Sequence, residues 1–117
     1  MTDEAGAAPE AGALRITAAR PEPDRLVLVL AGELDYGTAG ALTARLAAES
    51  AGPRPAPAHV TLDLAAVGFC DSIGLNTLVT AWKAQRAAGG VLVVGAMSPL
   101  VAEMLEITGL AGTLTGG

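Results

Sequence analysis

Carboxylates and one hydroxyl are the side chains of this chain whose types and places could do chemistry. Asp35 stands in the polar stretch Gly32–Gly37 (GELDYG), Asp63 in Leu62-Asp63-Leu64, and Asp71 directly before Ser72. An Asp-Ser pair at the start of a helix has two readings. It can cap the helix by accepting from a backbone N–H of the first turn, which is worth about 1 kcal/mol. Ser72 can also be a regulated hydroxyl, because a phosphate there adds about −1.5 to −2 of charge beside Asp71 and near Asp35. The carboxylates would repel that charge while the helix N-terminus attracts it.

The inventory for catalysis is poor. His59 is the only histidine and opens a β-prone segment after a proline-rich stretch, so it reads as an exposed strand-end residue rather than a base. No serine stands in a G-x-S-x-G turn, and no glycine-rich phosphate loop is present. Cys70 is the only cysteine. It reads as a small buried hydrophobe, and neither a metal site nor a cofactor is expected. The chain is expected not to be an enzyme.

The elements that must position these residues follow from hydropathy. Leu14, Ile16 and Ala18 alternate with Arg15 and Thr17, a strand with one wet face. Pro21–Asp24 is a turn. Arg25–Ala31 (RLVLVLA) is a continuous β-prone run, read as a strand buried on both faces. Thr38 is placed to cap a helix carrying Ala39, Leu42 and Leu46 on one face, which the Gly52–Pro57 stretch ends. His59–Leu64 is a third strand. Val67–Ser72 is a loop into a second helix, with Leu75, Leu78, Val79 and Trp82 as its apolar stripe. Gly89-Gly90 stops that helix, Val91–Val94 is a fourth strand, and Ser98-Pro99 starts a third helix that Gly109 ends. Thr113–Thr115 is read as a last short strand.

Strands and helices alternate from the second strand on. This predicts an α/β fold: a single mixed, largely parallel sheet of roughly four or five strands with about three helices packed on it. The first strand is expected to pair antiparallel. Function in such sheets gathers at the carboxyl ends of the strands, where Gly32–Thr38 and Val67–Ser72 fall.

Composition bounds the partners. The 117 residues are 51% hydrophobic and 16% charged, against roughly 25% charged in an average domain, so one core forms. Aromatics are limited to Tyr36, Phe69 and Trp82, and the core must come from Ala, Val, Leu and Ile. A net charge of −5 argues against nucleic acid and against an anionic membrane surface. The longest apolar run, Leu26–Ala31, is far below the roughly 20 residues that span a bilayer. No signal peptide is read at the N-terminus. The lone cysteine fits a reducing cytoplasm. Residues 1–12 (MTDEAGAAPEAG) are read as an acidic disordered tail before one domain over 13–117.

At the candidate residues the sequence resembles a known family. Gly32-Glu33-Leu34-Asp35, Leu62-Asp63-Leu64 and Phe69-Cys70-Asp71-Ser72-Ile73-Gly74-Leu75 look like the STAS domain of anti-sigma factor antagonists. Gly89–Gly95 (GGVLVVG) and Ser98-Pro99 with Thr108-Gly109-Leu110 continue the match in order, over about residues 14–115. The resemblance implies a bacterial partner switch. The unphosphorylated antagonist binds an anti-sigma factor that is also a serine kinase, and the sigma factor is released. Phosphorylation ends the binding, and a serine phosphatase restores it. Carried over, Ser72 is the phosphoacceptor, and Asp35, Asp71, Ser72 and Ile73 form the partner-binding surface of a monomeric regulator of stress-responsive transcription. Ile73 departs from the Ser or Thr frequent at that position. The alternative is an unphosphorylated STAS subunit of a signalling or transport complex. The chain also ends where many relatives add a terminal helix.

Overall fold

The computed structural model describes residues 12–52 and 54–116. Leu14–Glu22 forms β1 and Arg25–Leu34 forms β2, followed by α1 (Ala39–Ala51), β3 (His59–Cys70), α2 (Ser72–Ala87), β4 (Val91–Met97), α3 (Pro99–Ile107) and α4 (Ala111–Thr115). The sheet order is β1-β2-β3-β4. β1 pairs antiparallel with β2, and β2, β3 and β4 run parallel, as the alternation of elements predicts.

From Leu26 to Leu30 every second residue of β2 is leucine. Leu26, Leu28 and Leu30 are fully buried against the helices, together with Leu62 and Leu64 of β3 and Leu42, Leu78 and Leu105 of α1, α2 and α3. These join one core cluster. The other face of the sheet carries Thr17, Val27, Val29, Thr61, Asp63 and Val93, none of them buried. The expectation that β2 is buried on both faces is therefore corrected: Val29 is 39% exposed. Branched residues on the open face read from sequence like a two-sided core strand.

Two strand ends also differ from expectation. β2 runs on through Gly32 to Leu34, and β3 runs on to Cys70, because Glu33 pairs with Phe69 and Leu34 with Cys70. Register shifts between Val29 and Ala31 and between Gly32 and Glu33 break the alternation there. The inward residues become Val67 and Cys70, three apart rather than two. Thr113–Thr115 is not a strand but the end of α4. It turns Leu114 into the core, and Thr115 Oγ1 donates to Ala111 O at 2.6 Å. α3 starts as expected: Ser98 Oγ accepts from Val101 N at 3.3 Å and donates to Val67 O at 2.6 Å, with Pro99 in the first turn. The acidic tail lies outside the described residues except for Gly12, whose N–H donates to Glu33 Oε2 at 2.9 Å.

Candidate functional site

The carboxyl ends of β2 and β3 lie side by side, and α1 and α2 begin from them. Asp71 is the N-cap of α2, with extended backbone at φ −98° and ψ −175°. Its Oδ1 accepts from Gly74 N at 2.7 Å, and its Oδ2 accepts from Tyr36 N at 3.1 Å. One carboxylate thus holds the first turn of α2 and the loop that leaves β2. The backbone adds a third tie, from Asp71 N to Leu34 O at 3.3 Å.

Gly74 makes this approach possible. A Cβ at that position would lie 2.2 Å from Leu34 O, so only glycine lets α2 rest on the end of β2. Glycine costs a helix up to about 1 kcal/mol against alanine. Its place in the first turn of a helix is the sequence signal for this close approach, and the motif that includes Gly74 gives no packing reason for it.

Asp35 shapes its own loop. Its Oδ1 accepts from Gly37 N at 2.9 Å and lies 3.3 Å from Thr38 Oγ1, and its backbone N–H donates to Thr38 Oγ1 at 3.0 Å. It is half-buried. The reading of Asp35 as a residue of the partner surface alone is thereby joined by a structural duty. Thr38 is the N-cap residue of α1, but its hydroxyl is committed backwards, to Glu33 O at 2.8 Å, and gives no side-chain cap.

Ser72 is the first residue of α2 and is exposed. Its hydroxyl makes no hydrogen bond with a described residue. The capping role considered for the Asp-Ser pair therefore falls to Asp71 alone. Asp63 does not join the cluster: it lies on the open sheet face, where its Oδ1 accepts from Ala65 N at 3.0 Å beside the register shift of β3. His59 is exposed at the start of β3.

Cys70 is buried under this end of the sheet. Burial, and then the charges of Asp71 and Asp35, push its thiol up to about 11. At neutral pH it stays protonated, a poor nucleophile. Around Ser72 the exposed surface is apolar: Tyr36 is 82% exposed, Ile73 51% and Phe69 46%. The sequence signal for that exposure is the place of Tyr36 and Phe69 in the two segments read as loops at the carboxyl ends of the strands, although neither ring is among the partner-surface residues that the resemblance implies. This end of the sheet bears exposed rings, an isoleucine and one hydroxyl.

A family model described as "Mlab, STAS domain" matches residues 10–116. The chain belongs to the STAS domain family. It is 32% identical over 85 residues to an anti-sigma F factor antagonist of Paenibacillus polymyxa, covering 73% of this chain and 71% of that protein. Among solved structures it is similar to an anti-sigma factor antagonist from Mycobacterium paratuberculosis, at 27% identity and TM-score 0.72, over 87% of this chain and 83% of that one. It also shares the fold of the Bacillus cell fate determinant SpoIIAA in its phosphorylated form, at 19% identity and TM-score 0.68, over 86% of this chain and 88% of that one. The STAS fold accounts for the mixed sheet and its helices. Among the described residues no helix is long and apolar enough to cross a membrane.

Proposed function

We propose that this STAS domain is an anti-sigma factor antagonist that acts in the cytoplasm by binding rather than by catalysis. Unphosphorylated, it docks an anti-sigma factor that is also a serine kinase, through the surface around Asp35, Asp71, Ser72 and Ile73. Phosphorylation of Ser72 ends the binding, and a serine phosphatase restores it. The observation that carries the reading is the exposed, unbonded Ser72 hydroxyl at the start of a helix that Asp71 holds in place.

The geometry explains how such a switch would work without unfolding. The first turn of α2 contains no acidic residue and would turn its positive end to a phosphate on Ser72. Both Asp71 oxygens are fixed by backbone N–H groups, so the carboxylate cannot swing away from a neighbouring phosphate. A docking partner would have to desolvate the two charges together, a penalty that falls on the complex and not on the fold. Ile73 favours a second reading, in which the exposed apolar side chain serves a permanent subunit contact and Ser72 is never modified.

The test is incubation with ATP and the cognate anti-sigma serine kinase, site mapping by mass spectrometry, and calorimetric binding of both forms. Modification confined to Ser72, absent in Ser72→Ala, with binding lost in the phosphoform, upholds the switch. Stable binding without modification transfers the case to the second reading.

A further inference from the structure

At the opposite end of the sheet a cavity of about 380 Å³ opens between β1, α1 and the segment after α1. Arg20, Arg45 and Arg54 line it, with Glu49, Ala18 and Gly52. The chain has only 7 Lys and Arg in all and a net charge of −5. Three guanidiniums facing one carboxylate make this a positive pocket in a negative molecule.

The donors there outnumber the acceptors. A guanidinium carries about five N–H donors. Arg20 gives Nη1 to Pro23 O and Pro55 O, and Nη2 to Glu49 O at 2.9 Å and to Glu49 Oε1 at 3.5 Å. Its side chain is 6% exposed, and its Nε is the buried side-chain nitrogen that lacks any acceptor among the described residues. Arg45 reaches Glu49 Oε2 and Ile16 O, both at 3.4 Å. Those lengths exceed the roughly 2.7–2.9 Å of a tight charged hydrogen bond. Arg54 makes no hydrogen bond or ion pair with a described residue. Glu49 is thus a loose internal counter-ion, and the cavity beside it has the size of a small-ligand site.

We infer that this cavity binds a small oxyanion, a phosphoryl or carboxylate group, held by Arg45 and Arg54 over the guanidinium of Arg20. The anion competes with Glu49 for Arg45 and replaces water on the exposed guanidinium of Arg54. The site lies away from Ser72 and does not depend on the proposed switch.

Titration of the full chain with inorganic phosphate and, in a separate arm, with succinate, followed by NMR of the arginine Nε–H signals, tests it. Sodium chloride at matched ionic strength is the control. Saturable shifts with either oxyanion are expected, and the tighter arm identifies the chemical source. Arg54→Ala, an exposed change that leaves the fold intact, should weaken binding at least five-fold. Arg45→Met should weaken it similarly. Glu49→Gln should tighten it several-fold by removing the competitor. Shifts equal to those with chloride, or oxyanion binding unchanged in Arg54→Ala, would overturn the assignment.

Discussion

The two ends of the sheet are each tied by one charged side chain, and the charges are opposite. Where β2 and β3 end, helices begin, and the groups left over are backbone N–H. Asp71 answers with two acceptor oxygens, to Gly74 and Tyr36. Where β2 and β3 begin, α1 has just ended and the leftover groups are carbonyls. α1 carries no basic residue in its last turn, so Arg20 reaches across from β1 and donates to Glu49 O, Pro23 O and Pro55 O. Helix termini leave donors at one end and acceptors at the other, and a parallel α/β sheet collects each kind at its own end. The ties differ in depth: Arg20 is almost wholly buried, whereas Asp71 is half-buried beside an exposed hydroxyl. The buried tie serves stability; the half-open one leaves a surface that can be modified.

The comparison breaks most directly at Arg20. Arg20→Met keeps the aliphatic bulk but removes the donor to three carbonyls and one of the two cations on the Glu49 carboxylate. A loss of about 3 kcal/mol in urea unfolding is expected, because a nearly buried guanidinium that ties three segments together by charged hydrogen bonds is lost. A loss below about 1 kcal/mol would mean that water replaces the guanidinium freely and that this end is no tie.

Next in size is Gly74→Ala. The added methyl meets the Leu34 carbonyl, which is backbone and cannot rotate away. Overpacking of this kind costs about 2 kcal/mol, net of the helix propensity that alanine gains. Denaturation midpoints measure it. A neutral result would show that α2 can slide off the end of β2.

Much of this architecture was legible in the sequence, and the exceptions have physical causes. Alternating leucines, Pro99 behind Ser98 and Gly89-Gly90 placed most elements, because each reports a local constraint. Leu34, Phe69 and Cys70 look like loop in the sequence, because bulges destroy the period of two and only pairing with the neighbouring strand keeps the segment extended. Thr113–Thr115 looked like a strand from its threonines. Burial of Leu114 decided for a helix, a tertiary choice that overrides propensity. At the site, Asp71 and Ser72 were visible as a pair. Their division of labour was not, since it depends on which oxygen reaches Gly74. The structural duty of Asp35 was hidden for the same reason: its partners, Gly37 and Thr38, are fixed by the loop they help to make.

Asp71→Ala sharpens the comparison at the exposed end. The change removes a helix cap and a loop tie, and a cost of about 1.5 kcal/mol is expected, half that at Arg20. Hydrogen exchange should accelerate at the Tyr36 and Gly74 amides above all. Asp71→Asn keeps one acceptor and should protect one of the two. Faster exchange across the whole domain, rather than at these amides, would show that Asp71 supports the core and not the surface.

The smallest effect is expected at Ser72, and its smallness is the point. Ser72 follows the cap rather than being it, and its hydroxyl bonds to no described residue. Ser72→Ala should therefore change stability by less than about 0.5 kcal/mol, as surface substitutions do. The same substitution should abolish phosphorylation by the kinase while leaving docking intact. Phosphorylated wild type should melt at or slightly above the unmodified protein, because the dianion sits on the positive end of α2. Circular dichroism melting of the two phosphoforms and of Ser72→Ala decides this. A marked loss of stability in Ser72→Ala would make the serine part of the tie, and the division between a holding carboxylate and a modifiable hydroxyl would fail. A phosphoform that melts far below the others would mean that modification acts by loosening α2 from β2, and repulsion from the fixed Asp71 carboxylate would then outweigh the attraction of the helix.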